Sequence, residues 1–140
     1  MEDLGMYKWV ISLMLFVGCA DSSQPNAAIR DIDVQEAASL LKQDATVVVL
    51  DIRTPQEFQQ GHIADAENID FRSPEFRKKI EVLGRDKPYL VHCASGGRST
   101  RSLSVFEELQ FKQVYHLEAG INGWLAAGQP VKQLGAVPIF

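Results

Sequence analysis

The sequence predicts an α/β fold in which helices cover both faces of a central five-stranded parallel sheet. Short apolar runs alternate with amphipathic segments of about ten residues, and this alternation is typical of βαβ units. The run VVVL at residues 47–50 is apolar throughout, as expected for a strand buried on both faces. A chain of 140 residues accommodates one domain of ordinary size.

The strands and helices can be assigned in chain order. The predicted strands occupy residues 29–33, 47–50, 66–69, 89–91 and 113–117. Asp33 and Glu36 have the spacing of a capping box, which predicts the start of the first helix. Thr54 and Glu57 repeat that spacing for the second helix, which Gly61 is expected to end. The remaining helices are predicted over residues 73–84, from Ser99 as N-cap, and over residues 120–128 with Trp124 in the core.

The stretch YLVHCASGGRSTRSLSV, residues 89–105, combines a strand, a cysteine, a tight loop and a helix start. Cys93 ends the strand, and the adjacent Gly96 and Gly97 allow the loop to turn its backbone N–H groups inward. Such a nest of N–H groups binds anions, and the positive end of the following helix would face the same point. We therefore expect the sulfur of Cys93 to lie in an anion-binding site.

Magnitudes indicate how much stabilisation a reactive thiolate needs. An unperturbed thiol with a pKa near 8.5 is only about 3% ionised at neutral pH. Lowering the pKa by about two units requires about 2.7 kcal/mol of preference for the anion. A helix terminus typically contributes about 0.3–1 kcal/mol, so the loop N–H groups and Arg98 would have to supply most of the rest. The alternative, an inert buried cysteine, would not call for the glycine pair and the arginine.

Three segments carry a resemblance to a known family. They are HCASGGRS around Cys93, LDIRTPQEFQQGHIADAENI at residues 50–69 and HLEAGINGW at residues 116–124. In this order, and over residues 30–131 of the chain, they resemble the rhodanese family of sulfurtransferases in its single-domain form. The resemblance implies the rhodanese-like version of the α/β fold and sulfur-transfer activity.

The resemblance also implies a mechanism and a set of site residues. Cys93 would take the outer sulfur of a small anionic donor such as thiosulfate, hold it as a persulfide and pass it to a thiol or cyanide acceptor. Arg98 would attract the sulfonate of the donor. The implied substrate-binding residues are Ala94, Ser95, Gly96, Gly97, Arg98 and Ser99. Ala94 departs from the family pattern, because several thiosulfate-using relatives have arginine there, so a polysulfide or a protein persulfide is an alternative donor.

Other polar residues near the motifs are expected to be structural. The resemblance implies that Asp51, Arg53 and Glu57 hold the end of the second strand and the nearby loops by ion pairs and hydrogen bonds. His62 could act as a catalytic base. However, a thiolate that is already ionised needs no base, so a hydrogen-bonded framework role is the prediction for His62.

Two other functions share some of these features. Cysteine phosphatases and arsenate reductases need five residues between the cysteine and the arginine, so that a larger ring surrounds a tetrahedral oxyanion. Only four residues separate Cys93 from Arg98, and Ser99 occupies the position where that arginine should be. A non-catalytic or persulfide-carrying binding module of an exported sulfur pathway stays open as the second alternative.

The composition and the motifs of the chain argue against several classes of partner and cofactor. A net charge of −4 without a basic run argues against nucleic acid as the main partner. The sequence has no CxxC pair, no His and Cys cluster at metal-ligand spacing and no GxxxxGK[ST] loop. We therefore predict neither a metal nor a nucleotide cofactor.

The N-terminal residues predict export. Residues 9–19, WVISLMLFVGC, are too short to span a bilayer and fit the apolar region of a secretory signal. FVGC, ending in Cys19, resembles a bacterial lipoprotein cleavage box, although Phe16 replaces the usual leucine and Glu2 and Asp3 are acidic. The expected organisation is a signal peptide at 1–18, a tether lipidated at Cys19 over 19–28 and the domain at 29–140. This places the protein at the cell envelope or in the periplasm, in contact with the membrane only through its lipid.

Three alternatives to a lipoprotein stay open, namely an uncleaved membrane anchor, a plain secretory signal and a cytosolic protein with an apolar N-terminus. The cysteine content agrees with export. With Cys19 acylated, Cys93 has no partner for an internal disulfide and is a candidate reactive thiol.

Overall fold

The computed structural model describes residues 28–135, which form one α/β unit around a five-stranded parallel sheet. The strands are β1 (Ile29–Ile32), β2 (Val48–Asp51), β3 (Glu67–Asn68), β4 (Tyr89–His92) and β5 (Val114–Leu117). The helices are α1 (Val34–Gln43), α2 (Pro55–Gln60), α3 (Phe76–Glu81), α4 (Gly97–Glu108) and α5 (Gly120–Ala126). All strands pair in parallel in the order β1-β5-β4-β2-β3, which confirms the predicted fold class.

The helices cover the sheet on two sides, each with its own hydrophobic cluster. On one side Phe76 and Ile80 of α3 and Phe106 of α4 pack against Val91 of β4. On the other side the alanines of α1 and Ile121 and Trp124 of α5 pack against β2 and β4. Trp124 is 4% exposed, so its predicted place in the core is confirmed.

Strand β4 lies at the centre of the sheet, and all four of its residues are buried. Its apolar sequence fits this position, because a central parallel strand has no solvent-facing side. Cys93 directly follows the carboxyl end of this strand. In parallel sheets the binding sites form at this edge, where loops lead from strands into helices.

The capping signals of the first two helices are confirmed. The carboxylate of Asp33 accepts a hydrogen bond from the N–H of Glu36 at 2.8 Å, and the Glu36 carboxylate accepts one from the N–H of Asp33 at 3.2 Å. Thr54 and Glu57 form the same reciprocal pair at the start of α2. Gly61 is the C-cap of α2, as predicted.

Helix α5 ends at Ala126, close to the predicted end at residue 128, but α3 and α4 differ more from the prediction. Helix α3 begins at Phe76 and ends at Glu81, not over residues 73–84, because residues 73–75 form a turn in which the Ser73 hydroxyl accepts the N–H of Glu75. Helix α4 begins at Gly97, and its N-cap is Gly96, not Ser99. The left-handed φ of 99° at Gly96 turns the chain into the helix three residues early and places Ser99 inside the first turn.

The described residues 28–135 contain no helix that is both long and apolar enough to cross a membrane. The predicted signal peptide, Cys19 and most of the predicted tether lie outside the described residues, as do the last five residues of the chain.

Candidate active site

Cys93 follows β4 directly, and residues 94–96 lead from it into α4. The residue is buried, with 1% of its surface exposed. Its sulfur accepts hydrogen bonds from the backbone N–H groups of Gly96, at 3.2 Å, and Ser99, at 3.4 Å. The hydroxyl oxygen of Ser99 also lies 3.4 Å from the sulfur. The first turn of α4 therefore surrounds the sulfur with hydrogen-bond donors.

These donors change the acidity of the thiol. Burial by itself raises the pKa of Cys93, because water no longer solvates the thiolate. Hydrogen bonds from the Ser99 hydroxyl and from the backbone N–H groups of Ser99, Gly96 and Ser95 outweigh burial and lower the pKa below its ordinary value. The thiolate, which is the nucleophilic form, is therefore present at a lower pH than in a free cysteine.

The two adjacent glycines of the loop have different roles. A Cβ atom at Gly96, where φ is 99°, would lie 2.2 Å from the backbone oxygen of Glu118. A Cβ atom at Gly97 would meet no heavy atom within 4 Å. The inward turn of the loop therefore requires Gly96 alone, whereas the sequence suggested that both glycines were needed.

Helix α5 fixes the loop from the outside. The N–H of Ile121 donates to the carbonyl of Cys93 at 2.9 Å, and the N–H of Asn122 donates to the carbonyl of Ala94 at 3.0 Å. Gly120 permits this contact, because a Cβ atom there would lie 2.3 Å from the Ala94 oxygen. These contacts hold the carbonyls of Cys93 and Ala94 towards α5, while the N–H groups of Ser95 and Gly96, further along the loop, donate to the sulfur.

Arg98 forms a bidentate ion pair with Glu57. Its two terminal nitrogens each lie 2.8 Å from a carboxylate oxygen of Glu57, and 12% of the Arg98 side chain is exposed. Hydrogen bonds from Arg98 lower the pKa of Glu57 to about 2, so the carboxylate stays charged from acidic to basic pH. The sequence analysis predicted that the guanidinium of Arg98 attracts the donor sulfonate. In the structure this guanidinium binds the carboxylate of Glu57.

Comparisons with known proteins identify the family. Residues 33–127 match the family described as "Rhodanese-like domain". The chain belongs to this family. It is 28% identical over 103 residues to a sulfurtransferase from Allochromatium vinosum, a match that covers 74% of this chain and 94% of that protein. It is 31% identical over 102 residues to the thiosulfate sulfurtransferase GlpE from Vibrio cholerae, covering 72% of this chain and 92% of that protein.

A solved structure supports the same family. The crystal structure of a rhodanese-related protein from Thermoplasma volcanium superimposes with a TM-score of 0.66 at 35% sequence identity. The match covers 74% of this chain and 97% of that chain.

In this rhodanese-like domain Asp51 and Arg53 form a buried ion pair at the end of β2. The guanidinium of Arg53 donates to Asp51 at 2.6–3.1 Å and to the carbonyl of Gly61 at 2.6 Å. The side-chain amide of Asn68 donates to the carbonyls of both residues, at 2.9 and 2.8 Å. These contacts join β2, β3 and the end of α2, and they involve no atom of the Cys93 loop.

The structure places His62 beside α2. Its Nδ1 donates to the carbonyl of Phe58 at 2.9 Å, and the two rings stack with their centroids 3.9 Å apart. The backbone of His62 pairs with Lys132 through two hydrogen bonds of 2.8 Å. All of these contacts are with framework groups.

Two histidines near Cys93 were not singled out by sequence reasoning. His92 is buried, which lowers its pKa, and its Nδ1 donates to the carbonyl of Cys93 at 3.0 Å. The Nε2 atom of His116 on β5 lies 2.8 Å from the hydroxyl oxygen of Ser99. The only sequence signal for these residues was their presence in the HCASGGRS and HLEAGINGW segments, because neither histidine has a neighbour in sequence that marks its role.

Among residues 28–135, no group of three or more His, Cys, Asp and Glu side chains is arranged to hold a metal ion. The chemistry that the described residues support directly is that of a buried, activated thiolate.

The two loop glycines provide a matched pair of variants. We expect Gly96→Ala to lower the free energy of unfolding by about 2–4 kcal/mol, because it combines a left-handed φ with the Glu118 contact. Gly97→Ala is expected to leave the stability unchanged or to raise it by up to about 1 kcal/mol, because alanine favours the helix. Urea unfolding of both variants measures the difference. Equal effects would contradict the separate roles assigned to the two positions.

Proposed function

We propose that this rhodanese-like domain is a sulfurtransferase that carries sulfane sulfur as a persulfide on Cys93. The donor is thiosulfate or a persulfide, and the acceptor is a thiol or cyanide. The observation that carries this proposal is the position of the sulfur, which is buried and accepts the N–H groups of Gly96 and Ser99. The sulfurtransferase names of the relatives from Allochromatium vinosum and Vibrio cholerae support it.

The proposed reaction proceeds in two balanced steps. In the first step the Cys93 thiolate attacks the outer sulfur of thiosulfate, the sulfur–sulfur bond of the donor breaks, and sulfite leaves with the electron pair. In the second step cyanide or a thiolate attacks the terminal sulfur of the persulfide and the Cys93 thiolate leaves. No external oxidant or reductant is needed. The loop N–H groups stabilise the negative charge in both resting forms.

The charge distribution at the loop favours a persulfide over thiosulfate as the preferred donor. Thiosulfate carries two negative charges and is attracted by unpaired cations. Arg98 is paired with Glu57, and position 94 is alanine, so neither position offers a free cation. The binding of a donor with a single negative charge is weakened less by the lack of a free cation at these two positions.

A phosphatase or arsenate reductase is a weaker fit. Those reactions need an arginine that binds two oxygens of a tetrahedral oxyanion. Here both terminal nitrogens of Arg98 bind Glu57, and the loop is one residue too short.

Intact mass spectrometry tests the proposed function. Incubation of the domain with thiosulfate or a polysulfide is expected to add about 32 Da, the mass of one sulfur atom, and cyanide is expected to remove it as thiocyanate. Cys93→Ser is expected to abolish the mass gain, since an alcohol cannot form the persulfide. Addition of sulfur to Cys93→Ser would refute the assignment. A persulfide that forms but reacts with no small acceptor would indicate the carrier module instead.

The donor preference is tested by Glu57→Gln. Glutamine retains the capping interaction with Thr54 but removes the charge that balances Arg98, so we expect the KM for thiosulfate to fall by about threefold or more and the KM for a persulfide donor to fall less. The control is Glu36→Gln, the same change in the capping box of α1. An unchanged KM in Glu57→Gln would refute the proposed effect of the ion pair.

Arg98→Ala is expected to raise the KM for thiosulfate more than it lowers kcat.

We also propose that the protein is exported and anchored to the bacterial envelope through a lipid on Cys19. The apolar run that ends in FVGC supports this proposal. Cells expressing the full chain are expected to incorporate radiolabelled palmitate into the wild type and into Cys93→Ser, but not into Cys19→Ser. Labelling of the Cys19→Ser variant would refute lipidation at this position.

A further inference from the structure

A chain of hydrogen bonds leads from the sulfur of Cys93 to the surface at β1. The sulfur lies 3.4 Å from the Ser99 hydroxyl oxygen, which lies 2.8 Å from Nε2 of His116. On the other side of the ring, Nδ1 of His116 lies 2.8 Å from a carboxylate oxygen of Asp31. The parallel register places Asp31 directly opposite His116 on the neighbouring strand.

The chemistry of these groups fixes the direction of each hydrogen bond. A carboxylate only accepts, so Nδ1–H of His116 donates to Asp31. Nε2 of the neutral imidazole is then unprotonated, and it accepts the hydrogen of the Ser99 hydroxyl. Ser99 has only this one hydrogen, so in this state it cannot donate to the sulfur.

Protonation of Nε2 reverses this arrangement. An imidazolium donates from both nitrogens, so Ser99 accepts from Nε2 and its own hydrogen becomes available to the sulfur. The carbonyl of Gly96, 3.1 Å from the hydroxyl oxygen, is the competing acceptor. A negatively charged sulfur is the stronger acceptor of the two, because charge-assisted hydrogen bonds exceed neutral ones.

We propose that His116 takes up the proton of the Cys93 thiol through Ser99, and that Asp31 stabilises the resulting imidazolium. The S–H bond of Cys93 breaks as its proton passes to the Ser99 oxygen, and the original hydroxyl proton of Ser99 passes to Nε2. One proton leaves the thiol and one arrives on the imidazole, so no co-reactant is needed. This inference rests on the proposed function only in that it supplies the thiolate for sulfur transfer.

The burial of the groups supports a role beyond joining two strands. Ser99 is fully buried and His116 is 3% exposed, whereas the side chain of Asp31 is 56% exposed. The two members nearest the sulfur are thus shielded from water, and the hydrogen bonds between them operate at a low dielectric constant. A pairing that only fixed β1 to β5 would not require Nε2 to point at the residue that contacts the sulfur.

Other charged groups near the thiol are already paired or lie across the sheet. Arg98 of α4 is bound by Glu57 of α2, and Asp70 adds a weaker negative field at Arg98. Asp51 and its partner Arg53 belong to the end of β2. On β4, Val91 belongs to the cluster on the α4 side, so the adjacent His92 points to the opposite face. Asp31 is therefore the charged group that contacts the imidazole.

The test is the pH dependence of Cys93 alkylation by iodoacetamide, which requires no sulfur donor. Glutamine at position 116 retains hydrogen bonding to Ser99 but cannot accept a proton. In His116→Gln we expect the alkylation rate at pH 7 to fall about tenfold, the change that one pKa unit produces, and to equal the wild-type rate above pH 9 to 10, where the thiol of both proteins is ionised. A structural defect alone would change the rate at every pH. Tyr115→Phe, on the same strand, is the control and should match the wild type.

Asp31→Asn keeps the test valid if His116→Gln does not fold. The side chain of Asp31 is largely exposed, and asparagine still accepts the Nδ1–H hydrogen bond, so only the charge is lost. We expect a decrease in the pH 7 rate in the same direction and smaller in size. Unchanged alkylation profiles in the folded variants would overturn the proposal.

The ¹⁵N shifts of the His116 ring provide an independent readout. With Cys93 present, both ring nitrogens are expected to be protonated near neutral pH. In Cys93→Ala, which has no thiol proton to give, Nε2 is expected to be unprotonated at the same pH. A neutral ring in both proteins would overturn the relay and leave the sulfurtransferase assignment to the persulfide experiment. Absence of any persulfide would refute that assignment and leave the relay standing.

Discussion

The structure depends on hydrogen bonds that offset the unfavourable burial of a negatively charged sulfur. Removing a thiolate from water raises its free energy, and for Cys93, which is 1% exposed, this term alone would keep the thiol protonated. The compensation comes from the hydroxyl of Ser99 and from backbone N–H groups in the first turn of α4. Because most of these donors belong to the backbone, their direction is set by the path of the chain, and the surrounding fold serves to hold that path.

Two contacts outside the loop determine that path. Gly96 lies against the carbonyl of Glu118, and Gly120 lies against the carbonyl of Ala94, so the loop before α4 and the turn before α5 interlock at two positions where a Cβ atom does not fit. The first N–H groups of α5 bind the carbonyls of Cys93 and Ala94. Helix α5 therefore helps to determine which polar groups of the loop face the sulfur.

The local features of the chain could be predicted from the sequence, and the distant pairings could not. The capping boxes at Asp33 and Thr54 each involve residues three positions apart, so their geometry follows from spacing alone. Glu57 and Arg98 are 41 positions apart, and Asp31 and His116 are 85 apart. Those pairs depend on strand order and register, which bring β1 beside β5 and the start of α2 beside the start of α4. Ser99 was predicted to cap α4 because serine is a common N-cap residue. The helix begins earlier because the left-handed backbone of Gly96 turns the chain into it.

The two cations near the sulfur share an arrangement that explains the character of the site. Arg98 is bound by Glu57, and the His116 imidazolium of the proposed relay is bound by Asp31, so each positive charge has its own carboxylate. The sulfur is then stabilised chiefly by hydrogen bonds and backbone dipoles, which are fixed in direction and little affected by salt. A site of this kind stabilises one negative charge at one position without attracting anions over a long range. That property suits the proposed function, in which Cys93 would alternate between a thiolate and a persulfide, because each form carries a single negative sulfur close to the loop.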